Sequence, residues 1–422
     1  MGFLETVTNT TSSFLPTVPD PSLRQPLTLT AVAPLFACYY AEAVLVQLPR
    51  TFIWKLSLLP IIIGSGWHAA TCYDLARRTA LILGRDHERI QCWNYAFVIA
   101  MMYVPLRAIE WTFASRPYRR LKSPESKARH GEGTEDAPPN IRSLLRDAVE
   151  LTMNQRGYGW SWSRNPFPQG TSPSVTALFL SMLLKVSIFD IAYYAAQYLC
   201  SQANQPGGDT IFDPSLPPLT RFACALCVTL SAGIVTYTAV DTLYLGTAVF
   251  ACLFLGYSTS EWPPLSDRPW LSTSLADFWG NRWHHFFRRI FTTLGSRPLL
   301  PIFGKPGAVM GAFTLSAVIH DWGLYGLGQG TEFSTVGMFF IMMGVGVLLE
   351  GAYEQWSGMK VGGWKGWMWT TVWLMFWAMW LVDGWARKGL IASDFIPENI
   401  RVGKWAVEGV AQLVGKLTAL LM

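Results

Sequence analysis

The residue most able to do chemistry is His320, set in the run FTLSAVIHDWGLYGLG with apolar or small neighbours on both sides. Ionisable groups inside apolar stretches are costly and default to functional hypotheses. A neutral imidazole offers one donor and one acceptor. Screened from water, it stays neutral and able to take a proton. A general base for an alcohol nucleophile needs that property. On residue type alone, a core histidine with a satisfied hydrogen bond is the competing reading.

A second concentration of polar groups is SLADFWGNRWHHFFRRIF, residues 274–291. If it is helical, Asp277, Asn281, His284 and Arg288 share one face by three- and four-residue steps, and the other face is aromatic. The pattern predicts an amphipathic helix at the membrane interface. A plain interfacial anchor explains the composition equally well. The functional alternative gives Arg282, Arg288 and Arg289 to phosphates, because guanidinium forks match phosphate geometry. His284, His285 and His320 do not read as a metal site. Adjacent histidines on a helix point about 100° apart, and no metal-ligand spacing is present. The acids Glu42, Asp74, Asp190, Asp241 and Glu350 also lie in or beside apolar runs. Each is expected to pair with a backbone group or line a polar passage, and any one could donate a proton. No phosphate-binding glycine loop joins a strand to a helix.

The elements that must position these groups are transmembrane helices. The chain has 422 residues, 51% hydrophobic and only 14% charged, with a mean hydropathy of +0.25. A soluble surface needs about 25% charge. The 20 tryptophans suit a membrane–water interface. Runs of about 20 apolar residues fall at 29–48, 52–70, 91–112, 174–200, 219–240, 242–257, 307–327, 334–352, 366–384 and 403–421. The fifth and sixth are separated by little more than Asp241, so one long helix is an alternative there. An all-α polytopic bundle of eight to ten spans follows. It is preceded by a polar segment 1–28, with the N-terminal helices in 29–112 and the remaining core in 174–422. The seven cysteines read as buried free thiols, including the Cys224–Cys227 pair.

Between these lies 113–173, charged and rich in Pro and Gly. Its middle, about 122–140, lacks the apolar residues to fold. Residues 140–153 predict an interfacial helix capped by Asn140, with Ile141, Leu144, Leu145, Val149 and Met153 on one side. The positive-inside rule puts this loop and the basic stretch 258–306 in the cytoplasm. Both then lie on one side, which needs an even number of crossings between them and favours a single helix over 219–257. An N-terminus on the other side follows if the first three runs all cross. The basic loop Arg77–Arg89 conflicts with that arrangement. Nucleic-acid binding is not expected, since no basic stripe lies on a soluble element.

WPPLSDRPWLSTSLADFWGNRWHHFFRR (262–289) followed by FTLSAVIHDWG (313–323) resembles the wax-synthase branch of the membrane-bound O-acyltransferases. Within that branch it is most similar to fungal acetyltransferases of terpenoid and meroterpenoid pathways. RGYGWSWSRN (156–165) also looks like a stretch these proteins carry, and the likeness covers roughly 150–350. The resemblance implies a bundle in the endoplasmic reticulum enclosing a reaction tunnel. It implies acetyl-CoA or another acyl-CoA as co-substrate, a hydrophobic alcohol as acceptor, and no metal. His320 corresponds to the family's catalytic histidine and His284 to the Asn or His that ends the aromatic block. His284, with Asn281, would then hydrogen-bond the thioester oxygen. Arg282, Trp283, Arg288 and Arg289 would hold coenzyme A, and Phe278, Asp321 and Trp322 would line the acceptor site. Asn281 stands where plant wax synthases usually have Arg, and Asp321 where Glu is common. The alternatives are a long-chain wax or sterol ester synthase, and a membrane terpene cyclase using Asp190, Asp241 or Glu350 as its acid.

Overall fold

The computed structural model of the chain describes residues 20–121, 140–163 and 172–421. The 122–140 expectation therefore lies almost wholly outside the described residues. Helices dominate because lipid offers no partner for backbone N–H and C=O groups, so each apolar run must satisfy its own. The only strands among the described residues are β1 (Gln25–Pro26) and β2 (Tyr73–Asp74), a two-residue parallel pair.

The N-terminal helices α1 (Leu29–Leu45), α2 (Phe52–Cys72) and α4 (Cys92–Thr112) form one packed unit. Its core holds Leu35, Ala43, Ile62, Ala69, Val98 and Trp111. The Trp111 indole stacks on Tyr39 at 4.6 Å and 7°. The short α3 (Leu75–Leu83) is bounded as its sequence requires. Asp74 accepts from the Arg77 N–H at 2.7 Å, and Gly84 leaves the helix at φ 62°. The interfacial helix α5 (Ile141–Met153) has the expected cap, with Asn140 accepting from Arg142 N–H at 3.2 Å. Ile141, Leu145, Val149 and Met153 are exposed in a strip, while Leu144 turns inward with Ala148 and Leu151.

Helix α6 (Val175–Leu199) packs on α7 (Pro218–Phe254). At 37 residues α7 is a single helix, about 55 Å long. Asp241 does not interrupt it, because Lys185 of α6 lies 2.9 Å from its carboxylate and 2.7 Å from the Tyr237 hydroxyl. Cys227 on α7 is exposed and not buried, and the cysteines are free thiols.

Helix α8 (Arg297–Tyr325) is not straight. At Gly304 (φ 62°, ψ −153°) the chain reverses. Gly295 then lies against Gly311 and Ala312, and Gly311 against Leu299. Arg288–Phe303 and Lys305–Tyr325 are thus two antiparallel arms. The expected span over 307–327 is the second arm, and the preceding arm Arg288–Phe303 is the part the sequence did not anticipate. Helices α9 (Met338–Ser357), α10 (Gly363–Arg387) and α11 (Val402–Leu421) complete the bundle. Among the described residues, five segments are long and apolar enough to cross a membrane by length and composition: 92–112, 175–199, 218–254, 288–325 and 333–357. Helix α10 falls outside this set because its tryptophans are interfacial in character.

The two basic stretches meet at one end of the bundle. Arg156 donates to Tyr244 Oη at 3.1 Å and to Pro263 O at 2.8 Å, and Arg120 lies 3.2 Å from Glu261. At the other end the arginines of 77–89 are tied to backbone carbonyls. Arg77 donates to Arg24 O, Arg78 to Leu27 O and Arg85 to Asp394 O.

Candidate active site

The reversal at Gly304 brings the two chemical motifs together. His320 lies as far beyond that glycine as Arg288 lies before it, so the antiparallel arms place the ring beside the end of the aromatic block. Trp279 of the block is 6.3 Å from Phe340, the ring that stacks on His320.

His320 is half-buried on the second arm of α8. Its Nδ1 is 2.8 Å from the backbone carbonyl of Ser316, one turn earlier. A carbonyl can only accept, so Nδ1 carries the proton and Nε2 keeps a free lone pair. Phe340 of α9 stacks on the ring at 4.3 Å and 29°. Trp279 is 5.7 Å from Phe313 and 6.3 Å from both Phe339 and Phe340, and closes that side.

The segment 274–291 is not the continuous amphipathic helix its spacing predicts. Leu275–Asp277 is one helical turn, and Phe278–Arg282 winds as a π-helix. Trp283 is extended at φ −74°, ψ 156°, and helix resumes only at Arg288. The shared face of Asp277, Asn281, His284 and Arg288 is therefore absent. Side-chain packing supplies the reason. Trp283 stacks on Phe278 at 5.4 Å and 15°, and the backbone bends to allow it. His284 follows, 5.1 Å from Trp283 and 6.3 Å from Phe287.

Burial pushes the His284 imidazole down to about 3, with smaller contributions from His320 and His285. His285 is pushed down to about 4 by burial and then by Arg288 and Arg156. His284 Nδ1, His285 Nε2 and Trp279 Nε1 are buried with no hydrogen-bond partner among the described residues. These three atoms each keep a bond to offer a polar ligand.

The remaining expected residues divide. Asn281 is exposed and donates to Asp277 at 3.2 Å. Arg282 Nε donates to Asp277 at 2.6 Å. These two bonds outweigh the upward pull of burial and hold Asp277 below the usual carboxylate range. Arg289 is committed elsewhere, with Nε 2.9 Å from Glu110 and a further bond to Tyr118. Asp321 accepts from the Glu332 N–H at 2.6 Å. Trp322 stacks on Trp67 at 5.1 Å and on Tyr325 at 5.1 Å. The structure thus gathers Phe278, Trp283, His284 and His320, and places Asp321, Trp322 and Arg289 in packing and ion-pair roles. Two open surface depressions lie away from this segment, about 410 Å³ beside Arg77, Arg85 and His87 and about 340 Å³ beside Tyr198 and Glu408.

Two contributors were not placed beside the histidines by the sequence. Glu350 of α9 accepts from the N–H groups of Leu275 at 2.6 Å and Ala276 at 2.9 Å, and from Trp369 Nε1 at 2.9 Å. Its position in an apolar helix was a visible signal, but its partner was not. Phe340 carried no signal, because a phenylalanine in an apolar run is unremarkable.

The bundle, with its membrane-length segments, thus presents an oriented histidine beside an aromatic, polar block. Residues 262–342 match the profile of the membrane bound O-acyl transferase family. The O-mevalon transferase macI of Penicillium terrestre is 24% identical over 340 residues, 70% of this chain and 78% of that one. The O-mevalon transferase yanI of Aspergillus niger is 26% identical over 276 residues, 57% of this chain and 58% of that one. Acyl-CoA–sterol O-acyltransferase 1 of Arabidopsis thaliana is 27% identical over 186 residues, 41% of this chain and 52% of that one. The chain thus spans little more than half of the last two relatives. On these matches the chain is similar to the membrane bound O-acyl transferases over residues 262–342, and to the named transferases over the lengths given.

Proposed function

We propose that this chain transfers an acyl group, acetyl from acetyl-CoA, to a hydroxyl of a hydrophobic terpenoid-type alcohol, in the endoplasmic reticulum membrane. The observation that carries the reading is the orientation of His320. Its Nδ1–H is held by Ser316 O at 2.8 Å, so Nε2 is the acceptor. Nε2 takes the acceptor's hydroxyl proton as that oxygen attacks the thioester carbonyl. The new C–O bond forms, the C–S bond breaks, and the proton passes to the departing thiolate, giving ester and free coenzyme A.

His284 is neutral and donates to the carbonyl oxygen as charge builds there, with Asn281 as its neighbour. Trp283 and Phe278, stacked together, wall the passage and keep water from the thioester. Arg282 and Arg288 are the phosphate partners of coenzyme A, with Trp283 beside them. Arg289 supports them from its ion pair with Glu110. Asp321 and Trp322 shape the acceptor side through the packing they hold.

The cyclase alternative needs a free intramembrane acid. Asp190 lies 3.2 Å from Arg401, Asp241 pairs with Lys185, and Glu350 is engaged by two backbone N–H groups. The acids that reading relies on are already engaged.

The test is transfer in microsomes bearing the wild type or His320→Ala, supplied with labelled acetyl-CoA and a panel of terpenoid alcohols. A mevalonyl thioester joins the panel, because two relatives are named as O-mevalon transferases. Wild-type acetyl transfer, reduced about 100-fold or more in the variant, is expected. Transfer that survives the substitution removes His320 as base. Transfer of long chains but not acetyl makes the protein an ester synthase. Product formed without coenzyme A returns the cyclase.

A further inference from the structure

The segment that carries His284 is held at both ends by buried carboxylates from two different helices. Between Phe278 and Phe287 it has little regular structure to fix it, only a π-turn followed by an extended residue. Its N-terminal end docks on Glu350 of α9, 7% exposed, whose two oxygens accept the Leu275 and Ala276 N–H groups at 2.6 and 2.9 Å. Ser274 Oγ accepts from the Asp277 N–H at 2.9 Å and completes the start of the turn. Its C-terminal end docks on Glu110 of α4, 5% exposed, which lies 2.9 Å from Arg289 Nε and 2.8 Å from another guanidinium nitrogen of the same residue. Arg107 steadies Glu110 from the other side at 2.9 Å.

We propose that Glu350 and Glu110 are positioning residues that together fix His284 relative to His320. The inference rests on the acyltransferase reading above. Neither acid touches the reacting atoms, and each acts through the backbone it holds. Glu350 has a further link to the same geometry. It lies on α9, the helix whose Phe340 stacks on His320. One rigid element therefore indexes both histidines. A carboxylate suits the task at each end. Bonds from N–H donors to a charged acceptor are stronger than neutral ones, and a bidentate acceptor fixes direction as well as distance. Water or a loop neighbour could satisfy the same N–H groups but would not tie them to α9.

Displacing a catalytic group by about 1 Å costs about 100-fold in rate, so loss of either anchor is expected to lower kcat by 10- to 100-fold. Glu350→Gln keeps the volume but turns an amide N–H₂ toward one of the two N–H donors. Glu110→Gln removes the charge that Arg289 needs. The experiment measures kcat and KM for acetyl transfer per unit of folded, detergent-extracted protein in wild type, E350Q, E110Q, H284A, E350Q/H284A and E110Q/H284A. Asp190→Asn is the control, a carboxylate 2% exposed that pairs with Arg401 away from this segment.

The expected result is a fall in kcat for E350Q and E110Q, with KM for acetyl-CoA changed less than about threefold in E350Q. Adding H284A to either should cost nothing more than H284A alone, since the anchor has nothing left to position. D190N should lose thermal stability and keep its kcat. Full kcat in E350Q and E110Q overturns the proposal, as does a loss that multiplies with H284A. If no folded E350Q or E110Q is recovered, E350D and Arg289→Lys repeat the comparison, and the same independence from H284A decides it. Wild type without transfer would instead sink the acyltransferase reading, so the two failures are distinguishable.

Discussion

At the scale of single residues the site depends on protonation states that the fold enforces. His284 is the clearest case, because burial holds its imidazole down to about 3 from an ordinary 6.5. The unfolded chain takes up a proton near pH 6.5, while the folded chain refuses it until about pH 3. Stability from this group is therefore complete above pH 6.5 and is lost as pH falls below it. Between pH 7 and pH 5 the loss is at most about 2 kcal/mol, at 1.36 kcal/mol per pH unit below 6.5. Thermal melts of the detergent-extracted wild type and of His284→Gln check this. The wild type should lose more stability on going to pH 5, and the two slopes should converge above pH 7. Equal slopes across the range would mean the ring is hydrated in the fold. His320 and His284 were legible in the sequence as rare polar groups among apolar neighbours. The tautomer of His320 was not, because it is set by the Ser316 backbone carbonyl, and sequence does not show where carbonyls point. Arg289 was legible as a cation but not as the partner of Glu110, which stands far away along the chain.

At the scale of elements, hydropathy located most helix limits to within a few residues, and special backbone geometry defeated it. The aromatic block follows a helical period yet folds as a π-turn and a loop, since ring stacking outweighs the local preference. The α8 reversal depends on Gly304, whose φ of 62° and ψ of −153° are essentially confined to glycine. Pro301 and Pro306 flank it and remove backbone donors that a continuous helix would use. Gly304→Ala is therefore expected to destabilise the protein by ~1–3 kcal/mol. It should also lower acetyl transfer, because the antiparallel arms set His320 beside the His284 segment. Gly233→Ala is the matched control. It lies in α7 with nothing within 4 Å of an added Cβ, and in a helix interior the change should stabilise by ~0.5–1 kcal/mol. Thermal melts with parallel activity assays separate the two. An unchanged Gly304→Ala protein would mean that the reversal tolerates an ordinary residue.

At the scale of the whole molecule the open question is which end faces the cytoplasm. Two helices, α6 and α7, separate the basic stretches 140–163 and 255–287, and the Arg156–Pro263 bond at 2.8 Å shows that they share an end. The turn after α9 belongs to that end too, because Trp367 at the start of α10 donates to Trp270 O at 2.9 Å. The opposite end gathers 73–91, 200–217 and 388–401, joined by Arg89 to Asn204 at 3.2 Å and to Ala392 O at 3.3 Å. That end is also rich in arginine, which is why the sequence alone gave conflicting signals. Arginines bonded to carbonyls stay charged, and Arg156 at the first end is held in the same way, so the positive-inside count does not separate the ends. The proposed use of acyl-CoA instead makes 140–163, 255–287 and the Lys360 turn cytoplasmic. A flexible glycosylation tag inserted after Gly207 should then be modified in microsomes, and the same tag inserted after Lys360 should not. Modification at Lys360 alone would invert the molecule and put the arginines of the 274–291 segment on the wrong side for a cytoplasmic thioester. Modification at both sites would require an odd number of crossings between α7 and α10, which contradicts the contacts that set the two ends apart.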